Sequence, residues 1–523
     1  MKNLNPYLQQ VWNILPRIFA LYDTNPVSST FGIGDRYRWA WKLIDFANGT
    51  FQGAANGLSQ LLINNLLPKE LSEKSIMQRI DAMFIGTKKL IRSDGSLEEA
   101  FPYESSFCVT ALVAYDLLKV LELLSSQIDA NRRNQYVEII RPMINFLHKT
   151  DETHAFISNH LAAAVAALYK WTYLTHEDGE QRGFEFLRRI LREQSSEGWF
   201  REYEGADPGY QTLCIHYLAD IHKMRPDLGL IEPLQKSIRF LWHFAHPDGS
   251  FGGIYGSRNT RFYFPSGIEV LSDEIPEAKV LATFMRQSID SNKTVTLYAV
   301  DEPNLIPMFN SYCYAAVLYE RSKEKNGNMD ESLQLPCISN HKWQKDFKEA
   351  GLLVDKGDNH YTIVSYHKGG VCYHYVKGKP QTINTGVVIQ SSKGKYYSTQ
   401  AYQKNNTVIL RDNQIVITSF FTEVHSQIPS PLQFVILRVI AMTIMRNRTI
   451  KNFIKKLLVR LLITGRKTIR VKNERKMTLG EDIQIVDTLI EAEGYRQLNL
   501  DKPFSGIHMA SQGYWQKQDD SEI

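Results

Sequence analysis

The hydrophobic positions of this chain follow a helical period from about residue 37 to residue 325. Apolar residues recur there at spacings of three and four, which places them on one face of a helix. Glycine and proline separate the successive stretches, as is typical of turns between helices. The pattern predicts helices over residues 107–121, 159–174, 184–193, 210–222, 231–246, 274–288 and 312–322.

A short phrase occurs three times after such stretches, at residues 94–97 (DGSL), 197–200 (EGWF) and 248–251 (DGSF). Its glycine accepts the left-handed backbone that ends a helix. The Leu or Phe two residues later can pack back between helices. A repeated helical pair buries its apolar face on its neighbours, so the phrase predicts a ring or solenoid. Loops at one end of such a scaffold are where functional residues collect.

The period changes after a polar segment at residues 323–330. Alternating or β-branched runs then predict strands at residues 361–366, 370–376, 387–390, 396–401, 407–410 and 414–421. Runs of helices followed by runs of strands favour an α+β class over an α/β sheet. The predicted architecture is an (α/α) toroid of helical hairpins at residues 1–325, carrying the catalytic groups, and an antiparallel β-sandwich at residues 326–523.

The net charge of +5 is concentrated in one stretch. Residues 424–473 contain no Asp or Glu and eleven Lys or Arg, so the rest of the chain carries −6. Within them, a basic amphipathic insertion is predicted at about residues 431–466. Its part at residues 450–467 can lie on an anionic membrane surface, pack on its own domain, or form a groove for an anionic polymer. No nucleic-acid motif accompanies the charge, so no nucleic acid is predicted as a partner.

The five cysteines are odd in number and widely spaced, without a C-x-x-C pair. Three of them fall in apolar helical runs, which predicts buried free thiols and a reducing compartment. The first residues show no secretory signal, and no apolar run has the length of a membrane span. These observations favour a cytoplasmic protein, peripheral to the inner membrane if the basic segment binds lipid.

A helix start and two of the repeat loops contain residues that are not needed simply to turn the chain. Asn159 and His160 open a strongly apolar helix, where Asn159 is either an N-cap or a hydrogen-bond donor into the mouth of the ring. The second repeat loop contributes Trp199, Arg201, Glu204 and Tyr210. Glu204 is expected to hold His160 or Arg201. Tyr210 has a structural alternative, an aromatic residue that packs at the start of the next helix.

The third repeat loop holds Tyr255, Arg258, Asn259 and Tyr263. An arginine presents a planar fork that suits a carboxylate or sulfate. A charged, aromatic, glycine-rich loop therefore points to an anionic sugar as the ligand. Surface arginines that pair with nearby acids are the structural alternative.

With these stretches, the chain resembles the polysaccharide lyases of the heparinase II/III and alginate/chondroitin lyase type. That class has an incomplete (α/α) toroid followed by antiparallel sheets, an Asn-His at a helix start like Asn159-His160, and a Gly-aromatic, Glu, Tyr loop like residues 198–210. The class usually carries a His-rich, Asp-containing strand motif. Here the equivalent region, with His367 and His374, lacks the Asp. No metal site and no cofactor are therefore predicted, and His367 is retained as a substrate contact.

The resemblance implies β-elimination at a uronate in an anionic polysaccharide or lipid-linked glycan. Asn159 and His160 would neutralise the carboxylate, and Tyr210 would act as acid or base. A tyrosine titrates near ~10, so it needs a cation such as Arg201 or Arg258. Glu204, Arg258, Asn259, Tyr255, Tyr263 and Trp199 would contact substrate.

Three alternatives remain at the level of sequence. Reprotonation of the same intermediate from the other face would make a uronyl C5-epimerase. A toroid without turnover would be a glycan-binding or assembly protein of polysaccharide biosynthesis. The string Gln194-x-x-x-Gly198-x-Phe200 nearly matches a terpenoid cyclase repeat, but the chain lacks the D-x-D-D motif of those enzymes.

Overall fold

The fold is that of a helical ring followed by two β-sheets. A computed structural model describes residues 5–505 except 43, 154, 324–332, 425–429, 445–449, 451–452, 455–466 and 501. The described helices are α1 (Pro6–Ala20), α2 (Ala54–Ile63), α3 (Glu73–Leu90), α4 (Phe107–Leu123), α5 (Ala130–Lys149), α6 (Ser158–Thr175), α7 (Glu180–Arg192), α8 (Pro208–Met224), α9 (Ile231–Leu241), α10 (Pro265–Leu271), α11 (Pro276–Asp290), α12 (Glu302–Lys323) and α13 (Pro431–Met442).

Six of the described helices form a closed inner ring. Helices α2, α4, α6, α8, α10 and α12 pack each on the next, and α12 returns to pack on α2. The closure is tight, since the Asn310 amide of α12 donates to the Gly53 carbonyl at 3.0 Å and accepts from the Gly57 N–H at 3.0 Å. Helices α3, α5, α7, α9, α11 and α1 lie outside this ring. The toroid predicted from the sequence is confirmed, and its ring is complete where the resemblance implied an incomplete one.

The three copies of the repeated phrase make the same turn. Gly95, Gly198 and Gly249 have φ of +88°, +99° and +94°. In each turn an N–H three residues before the glycine donates to the carbonyl one residue after it, at 2.9–3.0 Å. The apolar residue that follows is buried in every copy, as Leu97, Phe200 and Phe251. The signal that predicts helical pairs is therefore a structural joint between an outer helix and the next inner helix.

Substitution of the middle glycine should destabilise the ring. A Cβ at residue 198 would lie 2.3 Å from the Lys236 carbonyl oxygen of α9, at a φ that L-residues rarely adopt. We expect Gly198→Ala to lower the free energy of unfolding by about 2 kcal/mol, measured by thermal or chemical denaturation. Gly229→Ala is the control, because Gly229 also has positive φ but has open space around its Cβ position. Equal losses in the two variants would contradict a steric joint at Gly198.

Polar side chains pair across the inside of the ring. Asn56 of α2 donates to Asp116 of α4 at 2.8 Å, and Tyr115 of α4 donates to Asp220 of α8 at 3.0 Å. Lys119 also reaches Asp220, at 3.2 Å. Buried polar groups of this kind are stable only when they are paired, so the pairs hold the inner helices in one register, between the neighbours α2 and α4 and across the ring from α4 to α8.

Two antiparallel sheets follow the ring. The described strands are β1 (Trp343–Phe347), β2 (Leu352–Lys356), β3 (His360–Ser365), β4 (Val371–Val376), β5 (Thr382–Asn384), β6 (Val388–Ser391), β7 (Tyr396–Ser398), β8 (Thr407–Arg411), β9 (Gln414–Glu423), β10 (Thr468–Thr478), β11 (Gln484–Ile490) and β12 (Tyr495–Leu498). The first sheet is a meander in the order β1-β2-β3-β4-β5. The second has the order β11-β10-β9-β7-β6-β12, with β8 paired to β9.

The first sheet is the middle layer of the molecule. Alternate side chains of a strand face opposite ways, and on β2 the residues Leu352 and Val354 belong to the core of the ring. Leu353 between them packs in a second core with Ile415 and Met477 of the other sheet. The two sheets thus pack face to face, and the predicted α+β class with a β-sandwich is confirmed.

The basic insertion is described only in part. Helix α13 lies within it, whereas the residues at 450–467 predicted to contact a membrane lie, apart from Ile450, Phe453, Ile454 and Lys467, outside the described residues. None of the described helices is long and apolar enough to cross a bilayer. The five cysteines form no disulfide with one another, and four of them are buried, while Cys108 is half-buried.

Candidate functional site

Three loops meet at the end of the ring where the inner helices begin. The Ser158 N–H at the start of α6 donates to the Arg201 carbonyl at 3.1 Å, and the Tyr203 N–H donates back to the Phe156 carbonyl at 3.0 Å. The third loop joins them, because the Ser257 N–H donates to the Ala206 carbonyl at 2.8 Å. Loops that are far apart in sequence therefore form one hydrogen-bonded rim.

Asp207 fixes two of the predicted site residues on this rim. It is the N-cap of α8, and its carboxylate accepts the Tyr210 N–H at 3.1 Å. The same carboxylate accepts the backbone N–H of Arg258 at 2.9 Å and the hydroxyl of Thr260. Tyr210 and Arg258 are thus held by one anchor although they come from different loops.

Arg258 lies against two tyrosine rings. Its guanidinium carbon is 4.3 Å from the ring centre of Tyr203 and 4.8 Å from that of Tyr210, within the range of a cation–π contact. Among the described residues the Arg258 Nε is buried without a hydrogen-bond partner, and no carboxylate forms an ion pair with this side chain. The arginine therefore has hydrogen-bonding capacity that the surrounding protein does not use.

The two tyrosines have different surroundings. Tyr210 is half-buried, whereas Tyr203 is buried and has a left-handed backbone, with φ +57°. Burial raises the pKa of Tyr203, and Glu152, Glu202 and Glu99 raise it further, against the lowering effect of Arg258. Tyr203 is thus set to keep its proton.

Asn159 is buried, and both its backbone N–H and its side-chain amide donate hydrogen bonds to the carboxylate of Glu202. Only 1% of its surface is exposed. Its backbone N–H donates to Glu202 Oε1 at 3.0 Å, and its side-chain amide donates to Glu202 Oε2 at 2.9 Å. Helix α6 begins at Ser158 with Ile157 at the N-cap position, so the alternative that Asn159 is an N-cap is wrong. Glu202, from another loop, accepts a free N–H of the first turn instead.

Glu202 is fully buried, and burial raises its pKa to about 7. Arg258 and the two hydrogen bonds from Asn159 lower the pKa, and Asp207 raises it. Burial outweighs the favourable position of a carboxylate at a helix N-terminus. The group therefore titrates near neutral pH beside Arg258.

His160 and Arg201 have carboxylate partners other than the one expected. His160 Nδ1 lies 2.7 Å from Glu152 Oε2, and Arg201 pairs with Glu193 at 3.2 Å. The expectation that Glu204 holds either residue is therefore wrong. Arg201 also donates to the Tyr203 carbonyl at 2.8 Å, so it braces the loop. The cation over Tyr210 is Arg258.

Several predicted substrate contacts are packed inside the protein. The Tyr255 hydroxyl pairs with His246 Nε2 at 2.8 Å, and Tyr263 is fully buried next to Phe251. Trp199 is buried, and its indole N–H donates to Glu197 at 3.0 Å. These three side chains stabilise the turns that support the rim. Their direct contact with a ligand stays a prediction that the geometry does not favour.

The sheets contribute to the rim as well. The buried Lys368, just after β3, donates to the carbonyls of Ile254 and Gly256 and to the side chain of Asn259. Asn259 in turn donates to Ser505 at 3.0 Å. Lys368 thereby holds the loop that carries Arg258 against the first sheet.

The two histidines that the sequence analysis named, His367 after β3 and His374 in β4, are part of the packing between domains and sheets. His367 Nδ1 lies 3.1 Å from the hydroxyl of Tyr402, whose ring packs beside Gly205, and burial lowers the pKa of His367 to about 4. His374 pairs with Thr362 at 2.8 Å on the face toward the second sheet. In the part of the chain that is described, no group of three or more His, Cys, Asp or Glu side chains could hold a metal ion.

The sequence did not single out Glu202, Glu152, Tyr203, Asp207 or Lys368. The signal for Asp207 was present, because an Asp before Pro-Gly-Tyr at the start of an apolar run is an N-cap pattern. The sequence carries no local signal for the other four, because contacts between distant segments of the chain bring them to the site. Of the predicted site residues, Asn159, Tyr210 and Arg258 join one cluster through Glu202 and Asp207, and His160 lies on the same rim beside Glu152.

Comparisons with known proteins bear on the fold. No family model matches the sequence, and no curated protein is similar to it in sequence. Among solved structures, the chain is similar to a Paenibacillus xanthan lyase, with 10% identity and a TM-score of 0.46 over 80% of this chain and 44% of that one. It is similar to heparinase III, with 12% identity and a TM-score of 0.43 over 92% of this chain and 77% of that one.

A third similar structure is cellobiose 2-epimerase from Bacillus thermoamylovorans, with 7% identity and a TM-score of 0.45 over 61% of this chain and all of that one. A polysaccharide lyase, with 10% identity and a TM-score of 0.39, is also among the similar structures. The chain spans less than half the length of the xanthan lyase. A likeness of this degree describes the fold alone and assigns no activity to this chain.

Proposed function

We propose that this chain is a glycan-active enzyme that removes the C5 proton of a uronate in an anionic polysaccharide and cleaves the chain by β-elimination. The ligand is either a free polymer or a glycan linked to lipid. The observation that carries the proposal is Arg258, a guanidinium with unused hydrogen-bonding capacity that lies against Tyr210 at the mouth of the ring. A bound carboxylate would complete the hydrogen bonds of this side chain.

The substrate carboxylate would be bound by Arg258 and His160. Neutralising it makes the C5 proton more acidic, because the electrons left on C5 delocalise into the carboxylate as an enolate. Glu152 orients the His160 ring through the 2.7 Å contact at Nδ1. Asn159 lies one layer behind, where it fixes Glu202 and thereby the electrostatic environment of Arg258.

Tyr210 would then take the C5 proton as a phenolate. The electron pair of the C5–H bond forms the C4=C5 double bond, and the C4–O bond breaks with its electrons on the leaving oxygen. That oxygen receives a proton from Tyr210, which returns the phenolate for the next cycle. The products are one fragment with a new reducing end and a second fragment that carries the unsaturated uronate at its non-reducing end.

The test is the ultraviolet absorbance of an unsaturated uronate. Purified protein would be incubated with alginate, heparin, chondroitin, hyaluronan and bacterial capsular polymers. A rise in absorbance with one of them supports the proposal. Incorporation of solvent deuterium at C5 without a rise would identify an epimerase that uses the same proton abstraction, and neither signal with any uronate polymer would overturn both.

Arg258→Lys probes the role of the arginine fork. A lysine keeps the positive charge but loses the planar pair of donors. We expect kcat/KM to fall about 10- to 100-fold, with most of the change in KM, since the group binds the ground-state carboxylate as well as the enolate. Arg192→Lys is the matched control, because Arg192 is an exposed arginine on the outer helix α7. An unchanged KM in Arg258→Lys would contradict carboxylate binding by this residue.

A further inference from the structure

Helix α13 exposes apolar side chains around most of its circumference. Leu432, Phe434, Val435, Ile436, Val439 and Met442 are each 45–68% exposed, and Ala441 is the one residue of this helix that is buried. The polar residues of the helix are Gln433 and Arg438. Helices on the surface of a globular protein normally bury one apolar stripe and turn a polar face to water. A surface of this kind marks a place where something else binds.

A second exposed apolar stretch lies close in sequence to a residue that α13 contacts. Arg438 forms an ion pair with Asp45, which brings the helix next to the segment that follows the helical turn Tyr37–Trp41. Within that turn, Tyr37 is 66% exposed and Trp41 is 63% exposed. Tyrosine and tryptophan are the side chains that favour the boundary between lipid headgroups and acyl chains.

Charge indicates which occupant fits this surface. The helix lies in the stretch of residues 424–473, which has eleven Lys or Arg and no acidic residue. A second copy of this chain docked symmetrically would bring that positive stretch against itself. An anionic bilayer offers both complements at once, because acyl chains accept the apolar side chains and headgroups attract the cations.

We propose that α13 and the Tyr37–Trp41 turn form a docking surface for an anionic lipid bilayer. Twelve helical residues measure about 18 Å, which is short of the ~30 Å hydrocarbon thickness, so the helix lies in the plane of the interface. The segment before α2 also contacts the loop that precedes the inner helix α4, since the Gly49 N–H donates to the Glu98 carbonyl at 2.9 Å. The bilayer would therefore face the end of the ring at which the candidate site opens.

The test is cosedimentation of the full chain with vesicles. We expect at least about tenfold stronger partition onto phosphatidylcholine vesicles with about 30 mol% phosphatidylglycerol than onto phosphatidylcholine alone. The double variant Phe434→Glu with Val435→Glu should lose at least about tenfold of this binding. Tyr173→Glu with Phe184→Glu is the matched control, because these exposed aromatic residues lie near the end of α6 remote from the site. That variant should bind as the parent does.

Two results would overturn the proposal. In the first, the protein binds neither vesicle and light scattering shows a dimer, which the Phe434→Glu, Val435→Glu variant converts to a monomer. That result would assign the surface to a second copy of the chain. In the second, the protein is a monomer that binds neither vesicle, which would mean that another part of the chain covers α13. Vesicle binding needs no glycan turnover, so this experiment and the absorbance assay fail independently.

Discussion

Tyr210→Phe is expected to reduce turnover by about 10²–10⁴-fold while KM stays within a few-fold of the parent. The variant keeps the aromatic ring, and with it the contact to the Arg258 guanidinium 4.8 Å away, so the binding surface survives. What it loses is the phenol oxygen that would accept the C5 proton. The measurement is the initial rate of absorbance increase across a range of substrate concentrations.

The reason for assigning the proton to Tyr210 is electrostatic. An ordinary tyrosine titrates near ~10 and is a poor base at neutral pH, and a neighbouring cation favours its phenolate. Arg258 supplies that cation to both Tyr210 and Tyr203. Burial and three carboxylates raise the pKa of Tyr203, so Tyr203 is the residue that stays protonated.

Tyr203→Phe is therefore the internal comparison for Tyr210→Phe. Both variants remove one hydroxyl from a ring beside the same guanidinium. We expect a markedly smaller loss of kcat in Tyr203→Phe, because the raised pKa of Tyr203 keeps its phenol protonated, so that it is not the base. A large loss in Tyr203→Phe with full activity in Tyr210→Phe would exchange their roles and contradict the assignment.

The sequence predicted the elements that local chemistry determines. The three acidic-Gly turns were found because a left-handed glycine and a buried residue two positions later are local requirements, met at Gly95, Gly198 and Gly249. Inner helices such as α6 are predicted correctly because most of their positions are apolar and recur at helical spacing. Strand β2 is one of the strands that the pattern does not predict, because it lies in the middle layer, is covered on both sides, and shows no alternation.

The candidate site was predicted less completely, because its pairs are set by contacts between loops. Glu202 and Glu204 are equivalent in the sequence of the second loop, and only the bridge between Ile157 and Glu202 turns the former inward. In the same way, Glu152 reaches His160 from the chain that precedes α6. Short-range patterns identify a loop as unusual but do not identify which of its side chains face the site.

Glu202→Gln is expected to remove a pH-dependent loss of stability from the protein. Burial raises the folded pKa of Glu202 from 4.5 to about 7. Its contribution to stability is therefore fully present below the unfolded pKa, and it is lost as pH rises through the folded pKa, because the unfolded chain ionises first. Each unit of pKa corresponds to about 1.4 kcal/mol. The free energy of unfolding of the parent should therefore fall by about 3 kcal/mol between pH 4 and pH 8 from this group alone.

The measurement is the free energy of unfolding of parent and variant at several pH values. Glutamine can still accept the Asn159 N–H, and a flipped Asn159 amide can accept its NH₂, so the fold should persist. The difference in free energy of unfolding between Glu202→Gln and the parent should move by about 3 kcal/mol in favour of the variant from pH 4 to pH 8. Glu204→Gln, from the same loop but with a side chain that reaches solvent, should show no such shift. Parallel curves for parent and Glu202→Gln would mean that folding leaves the pKa of Glu202 at its ordinary value. Glu202 would then be ionised at neutral pH, and Arg258 would be neutralised by the protein before any substrate carboxylate arrives.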